Sequence, residues 1–486
     1  MNTSPRATAL MTAVTIVFAV LLAYGETRAF SFDEGFHLMA ARLIKEGKRP
    51  YLDFCFPQTP LNAYWNAFWL LLFGDNWRVI HAVAAVMIAA AVFLAADFIL
   101  KRFPAPGWQL AAAVSVAFLF GLNGSVVIWG PIGQAYALCL FLTVASFRVC
   151  ILAVERPSPL LAGAAGCLVS AAAASSLLTA PAIPVLFLWM VFYNRAGARI
   201  QKAAAFIAGA AIPFLPVLWL FINAPHQVWF NLVDYHLHYR SVHWEDAPQH
   251  DFEVLISWID CSQALLLGLL AVGGLLFIRS AGGWERARRA EFYLSAWIAL
   301  LMGVEIATAH PTFSWYFLLI VPFLAIPAAA GIYVVGARLY KPDRPRWPVA
   351  VLTVLLAFGL AKTIYDDSDS LKWRTMQAMA KKVEQVTPPN ATLWANEHIF
   401  FLTGRPIPEG MEFQAGMKLD MPMSQAAPLH ILPGPELARR VKSGAYSTIA
   451  TCDDDKMEKL GLKDLYTNKE DIDSCFVFWG FKATTQ

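Results

Sequence analysis

The stretch "FSFDEGFHLMAARLIKEGKRPYLDF" occupies residues 30–54. An apolar run, Ala9 to Tyr24, precedes it, and a long series of further apolar runs begins at residue 77. The stretch opens on an acidic pair, Asp33 and Glu34. Phe36, Leu38, Met39, Leu43 and Ile44 then recur against Glu34, His37, Arg42 and Lys45 at helical spacing, and Gly47 stops the pattern. The spacing predicts an amphipathic helix led by acid, placed outside the bilayer directly after a first apolar segment.

Composition supports that reading of the surroundings. Of 486 residues 58% are hydrophobic and 15% charged, and the mean hydropathy is +0.50. A soluble chain of this length needs far more polar surface, so the class is a polytopic membrane protein. The net charge of +3 carries no sign of a nucleic-acid partner. The run at 9–24 lacks a small-x-small cleavage site in "LLAYGETRAFSFDE" and reads as an uncleaved first span, not a signal peptide.

A spanning helix takes about 20 mostly apolar residues. Candidate spans fall near 9–24, 77–99, 108–123, 133–153, 159–177, 180–193, 203–222, 258–278, 292–309, 314–336 and 347–364, which is about eleven. Basic residues set the orientation. With the N-terminus in the cytoplasm, the inside loops are "KRFPAPG", "ERPSP", "NRAGARIQK", "RSAGGWERARR" and "ARLYKPDRPR", all carrying Arg or Lys. Segments 25–76, 223–257 and the C-terminal tail are then outside. Within the first of these, "RPYLDFCFPQTP" is a Pro-punctuated connector. "LNAYWNAFWLLLFG" is short and aromatic, and suits a helix in the membrane interface or, alternatively, a twelfth span.

Past residue 365 the pattern turns mixed. A helix is expected at 370–386, strands at "ATLWANE" and "SCFVFWG", a strand-turn at "FFLTGRPIP" (400–408), and helices near 435–443 and 455–460. The expected division is a transmembrane domain, 1–364, and a small extracytoplasmic α/β domain, 365–486. Of seven Cys, Cys452 and Cys475 lie in this tail and form a disulfide if it is outside the cytoplasm; otherwise they are two free thiols.

The order of features resembles a known group. A first span leads to an outside Asp-Glu pair, then "HLMAARLIKEGKRPYLDF", a Pro-Leu, an aromatic helix ending in "LFG", and Arg78 at the head of the next span. Further on comes "HPTFSWYFLLIVPF". This is similar to integral-membrane glycosyltransferases of the GT-C superfamily, within it to bacterial relatives of protein O-mannosyltransferases and aminoarabinose–lipid A transferases. The resemblance implies a GT-C-like fold and a place in the inner (plasma) membrane, with the C-terminal domain periplasmic or extracellular. It implies a donor sugar on a polyprenyl phosphate, passed with inversion to a glycan, lipid or protein acceptor on the outer face. It gives Asp33 the role at the reacting centre. Some relatives carry a second acid near the outer start of the fourth span. Here "NGSVVIWGPIGQAYALCL" has none, and Gln134 stands nearest.

Glycosyl transfer needs a base for the acceptor and charge for the departing phosphate. Asp33 is the candidate base with Glu34 beside it; the plainer role for both is to cap a helix start. His37, Arg42 and Lys45 are candidates for the phosphate or substrate, as are Arg240, Glu305, His310 and Arg405. Asp53 is either a turn organiser after Pro50 or a site residue. The loop "NLVDYHLHYRSVHWEDAPQHDFE" (231–253) is dense in His, Asp and Glu, and either lines the acceptor cleft or binds a cation. A divalent cation, Mg or Mn, is therefore a possible cofactor. The alternatives are a transporter or flippase of a lipid-linked sugar, whose expected paired broken helices in two similar halves are not found, or a non-catalytic relative.

Overall fold

The computed structural model describes residues 5–239, 247–280, 284–339, 345–368 and 370–482. Among them, 8 helices are long and apolar enough to cross a membrane, beginning with α1 (Pro5–Thr27) and ending with Arg346–Asp366. Three shorter apolar helices, Pro106–Gly121, Pro159–Ala173 and Leu177–Phe192, take the remaining positions. Every expected span thus coincides with an apolar helix, and the chain is a multi-pass membrane protein.

The chain divides into two compact units. One comprises Met1–Glu26, His81–Val217 and Trp244–Ser368; the other comprises Thr27–Ile80, Leu218–His243 and Asp369–Gln486.

In the first unit, small residues let helices touch backbone to backbone. A Cβ on Gly166 would stand 2.2 Å from the Phe206 carbonyl oxygen, and one on Gly209 2.0 Å from that of Gly163. This is how helices associate where no hydrophobic effect separates protein from lipid. Charges gather at the C-terminal end of α4 (Trp77–Arg102). Arg102 reaches Glu155 at 2.7 Å, and Arg148 and Lys101 reach Asp97 at 2.8 and 3.0 Å. Asp97 and Glu155 thus each have a cation, as low-dielectric surroundings require.

In the second unit, α2 (Phe32–Lys45) and α3 (Leu61–Phe73) share one core with the tail. Leu38, Met39, Ala67, Leu70 and Trp77 are buried with Met376, Met379, Trp394, Phe400 and Phe478. The sheet runs β1-β2-β4-β3 (Leu393–Ala395, Thr448–Thr451, Cys475–Phe481, Tyr466–Ile472). β1 and β2 are parallel and the other pairs antiparallel. The Trp373–Val386 helix buries Trp373, Met376, Met379 and Val383 on one face. α3 inverts the soluble pattern: Asn62 and Asn66 are buried while Phe68, Leu71, Leu72 and Phe73 are exposed. At 13 residues it is well short of the ~20 a span needs, and its outward apolar face suits the interface.

Two expectations need correction. "FFLTGRPIP" is not a strand-turn: residues Glu397–Thr403 form a helix that ends at Gly404 in the left-handed region (φ 68°). Asn396 precedes this helix in extended conformation, so start and stop signals outweighed the β-like composition. Strands β2 and β3 were not expected.

Cys452 and Cys475 are disulfide-bonded, 23 residues apart. Closing a loop of that length contributes about 3 kcal/mol in the chain-entropy view. In a variant retaining only these two cysteines, a maleimide should label nothing until a reductant is added. Equal labelling in both conditions rejects the bridge.

Candidate functional site

The second unit contains most of the residues singled out by the sequence. Ser31 caps α2 with extended backbone (φ −146°, ψ 139°), and its carbonyl accepts the first helical bond from Glu34 N–H at 3.2 Å. Asp33 and Glu34 therefore fall in the first turn, where the helix dipole favours negative charge. The two diverge from there: Asp33 is exposed, and Glu34 is fully buried.

His37 follows one turn later and is buried. Its ring stacks on Phe36 at 4.4 Å and meets the edge of Phe56 at 5.7 Å. Burial among aromatic rings lowers its pKa to about 3, so the imidazole is neutral at physiological pH. Nδ1 has no hydrogen-bond partner among the described residues. A neutral ring can donate or accept one proton-sharing contact here, but it supplies no positive charge to a phosphate.

Arg42 and Lys45 already have anionic or carbonyl partners. The Arg42 guanidinium donates to the carbonyls of Phe400 (2.9 Å) and Gly404 (2.7 Å) and to Glu46 (2.9 Å). It thereby caps the C-terminal carbonyls of the Glu397–Thr403 helix. Lys45 pairs with Asp75. Asp53 accepts from Arg49 through the backbone N–H (2.7 Å) and the guanidinium (2.9 Å), and these Arg49 hydrogen bonds hold its carboxyl below the usual range. Its contacts are those of a turn organiser. Arg405 donates to the carbonyls of Thr387 (2.6 Å) and Pro388 (3.0 Å).

Glu305 and His310 belong to the other compact unit. Glu305 is exposed. His310 donates from Nδ1 to Asp251 at 2.7 Å, and the same carboxylate accepts from the Thr312 N–H at 2.7 Å. Arg240, like His243, Glu245 and Asp246, lies outside the described residues. In the described part of that loop, His236 contacts the Pro57 carbonyl at 2.9 Å and Asp234 accepts from Trp229 at 3.0 Å. Among the described residues no three His, Cys, Asp or Glu are grouped to hold a metal ion.

Two residues that the sequence did not single out stand beside the acidic pair. Glu397 and His398 open the helix that packs on α2, and both are buried. Glu397 Oε1 accepts from the Gln414 N–H at 2.7 Å. Burial, reinforced by the charge of Asp33, raises its pKa to about 7. His398 contacts the Ser31 carbonyl through Nε2 at 3.1 Å. Burial lowers its pKa to about 4, against the opposing pull of Glu34. Glu397 and His398 thus stand beside the start of α2 with Asp33 and Glu34, and Asp33 is the exposed member of the four.

No model of a known protein family matches the sequence, and no curated protein sequence matches it. Solved structures do. The structure of ArnT from Cupriavidus metallidurans in the apo state matches with a TM-score of 0.64 at 13% identity, over 96% of this chain and 97% of that one. The same protein bound to undecaprenyl phosphate matches with a TM-score of 0.63. An Archaeoglobus fulgidus oligosaccharyltransferase, in complex with Zn and sulfate, matches at 0.51 and 15% identity, over 82% of this chain and 61% of that one. Likeness along nearly the whole of ArnT, at such low identity, is likeness of fold, and the chain has a GT-C-like fold.

Proposed function

We propose that this protein is a membrane glycosyltransferase that moves a sugar from a polyprenyl-phosphate donor to an acceptor on the outer face of the inner (plasma) membrane. The observation that carries the reading is Asp33: an exposed carboxylate on the first turn of α2, just after the first apolar helix, in a chain of GT-C fold. That a structure of this fold holds undecaprenyl phosphate supports the donor class. The Cys452–Cys475 bridge supports an extracytoplasmic tail, because disulfides persist in oxidising compartments.

In this reading the Asp33 carboxylate takes the proton of the acceptor hydroxyl. The acceptor oxygen bonds to the anomeric carbon as the bond from that carbon to the phosphate oxygen breaks, with inversion, and the polyprenyl phosphate leaves with the electron pair. His37, neutral and buried, lies on the same helix as a candidate contact to bound substrate. Arg42, Lys45 and Arg405 act through the contacts described, shaping the unit. Arg240 remains the candidate for the leaving phosphate, and Glu305 and His310 remain candidate substrate-binding residues on the sequence reading.

The test is a panel of polyprenyl-phosphate sugars and acceptors with the purified protein in lipid nanodiscs, with and without Mg, Mn or a chelator. Release of polyprenyl phosphate coupled to a glycosylated acceptor is the expected result. Translocation of lipid-linked sugar in liposomes, with no release from any donor, would establish a flippase instead.

A further inference from the structure

Among the described residues, His398 packs against the first turn of α2 from outside, with the Glu397 Cβ beside it. His398 is 0% exposed and touches the turn at two points. Its Nε2 lies 3.1 Å from the Ser31 carbonyl, the same oxygen that accepts Glu34 N–H to begin the helix. Its Nδ1–Cε1 edge lies against Gly35, where a Cβ would come within 2.6 Å of both ring atoms. A carbonyl partner requires Nε2 to carry the proton, so the imidazole is the Nε2–H tautomer with Nδ1 bare, and Nδ1 has no hydrogen-bond partner among the described residues. The ring is fixed in turn: Phe30 lies 4.9 Å away, and Trp373 5.2 Å away and stacked at 4.5 Å on Trp77. Residues 31 and 35 are thus gripped by one imidazole, and Asp33 sits midway between them.

We propose that His398 is the positioning residue of the Asp33 site, holding the first turn of α2 at Ser31 and Gly35 so that the carboxylate is aimed before substrate arrives. The inference rests on the reading of Asp33 as the base. It gives the tail a part in the reaction without contact to the reacting atoms, and it gives Gly35 a reason to be glycine. A base held in place needs no reordering in the transition state, which is where positioning contributes to rate.

Five variants test it: His398→Phe keeps a ring but removes the donor, His398→Gln restores a donor at similar reach, and Gly35→Ala, His398→Ala and the two together complete a double-mutant cycle. Two readouts are taken on the full-length protein: amide hydrogen exchange over residues 31–37, and kcat and KM for donor. In His398→Phe, exchange of that turn should quicken about tenfold and kcat should fall about 10- to 100-fold, with KM within about twofold and sheet amides unchanged. His398→Gln should recover most of both. Gly35→Ala should reproduce the defect alone and add little to His398→Ala, because the closest contacts of the new Cβ, at 2.6 Å, are with the ring, and the next, with the Glu397 Cβ, is at 3.2 Å. Unchanged exchange and kcat in His398→Phe would overturn the proposal, as would a Gln variant no better than Phe or strict additivity with Gly35→Ala. If wild type itself transfers no sugar, the function reading fails, while the exchange readout still shows whether His398 grips the turn.

Discussion

Asp33→Asn should lower turnover by roughly 10²–10⁴-fold and leave the protein folded, if Asp33 takes the acceptor proton. The substitution keeps the side-chain shape and an oxygen in the first turn of α2, but removes the negative charge and the proton affinity. If Asp33 only caps the helix, the same change costs a few tenths of a kcal/mol to about 1 kcal/mol of stability, and turnover stays near normal. The two roles are separated by orders of magnitude in rate and by almost nothing in stability. The measurement is kcat with the preferred donor, beside thermal unfolding of both proteins. Near-normal transfer by a well-folded Asp33→Asn would refute the base assignment. Glu34, fully buried in the same turn, and Glu397, buried beside it, would then be the next carboxylates to replace.

How much of this was legible in the sequence follows from the range of each interaction. The spans were readable because bilayer thickness imposes a length and a composition on each segment. α2 was readable because its acids, apolar stripe and terminal Gly47 are all local signals. β3, "YTNKEDI", was not: only Tyr466 is well buried, most of its side chains are exposed, and it pairs on one side only, with β4. It shows none of the alternation that marks a half-buried strand. The Glu397–Thr403 helix carries its own start and stop, Asn396 and Gly404, and in the fold these prevail over the β-like "FF" and "PIP".

The site was legible only in its local part. Asp33 and Glu34 declared themselves as an acidic pair after a span. His398 and Glu397 follow no motif and gain their meaning from packing against a helix more than 350 residues earlier. The contacts that engage Arg42 are equally long-range. A charge pattern on a helix shows which face is polar, but not that carbonyls from the tail will come to meet it. An exposed reading of Arg42 as a phosphate ligand was natural in sequence, and the helix end it caps is visible only in the fold.

The buried titratable groups around this site should also shape stability against pH, with two pairs acting in opposite directions. Glu397 and Glu412 are buried, and burial raises each from about 4.5 to about 7. A group with a raised folded pKa contributes stability that is complete below its unfolded value and lost as pH rises through the folded one. Each loss is on the order of 3 kcal/mol between about pH 4.5 and 7. His37 and His398 are buried neutral, lowered by burial from 6.5 to about 3 and about 4. Their contribution is complete above 6.5 and lost as pH falls. Between about pH 4.5 and 6.5 the two pairs offset one another, so the stability of the wild-type unit should be nearly flat with pH there and fall on either side. Substitution breaks the compensation in a predictable direction. Glu397→Gln keeps an oxygen for the Gln414 N–H but does not titrate. Relative to wild type it should gain stability between pH 4.5 and pH 8 by on the order of 3 kcal/mol, and Glu412→Gln should do likewise with the Gly410 N–H that its side chain accepts. Chemical unfolding of the detergent-solubilised protein, followed by exchange of the sheet amides at pH 4.5, 6 and 8, measures the effect. A wild-type-to-variant difference that stays constant across that range would mean that both glutamates remain charged in the folded protein, and the compensation with the two histidines would have to be abandoned.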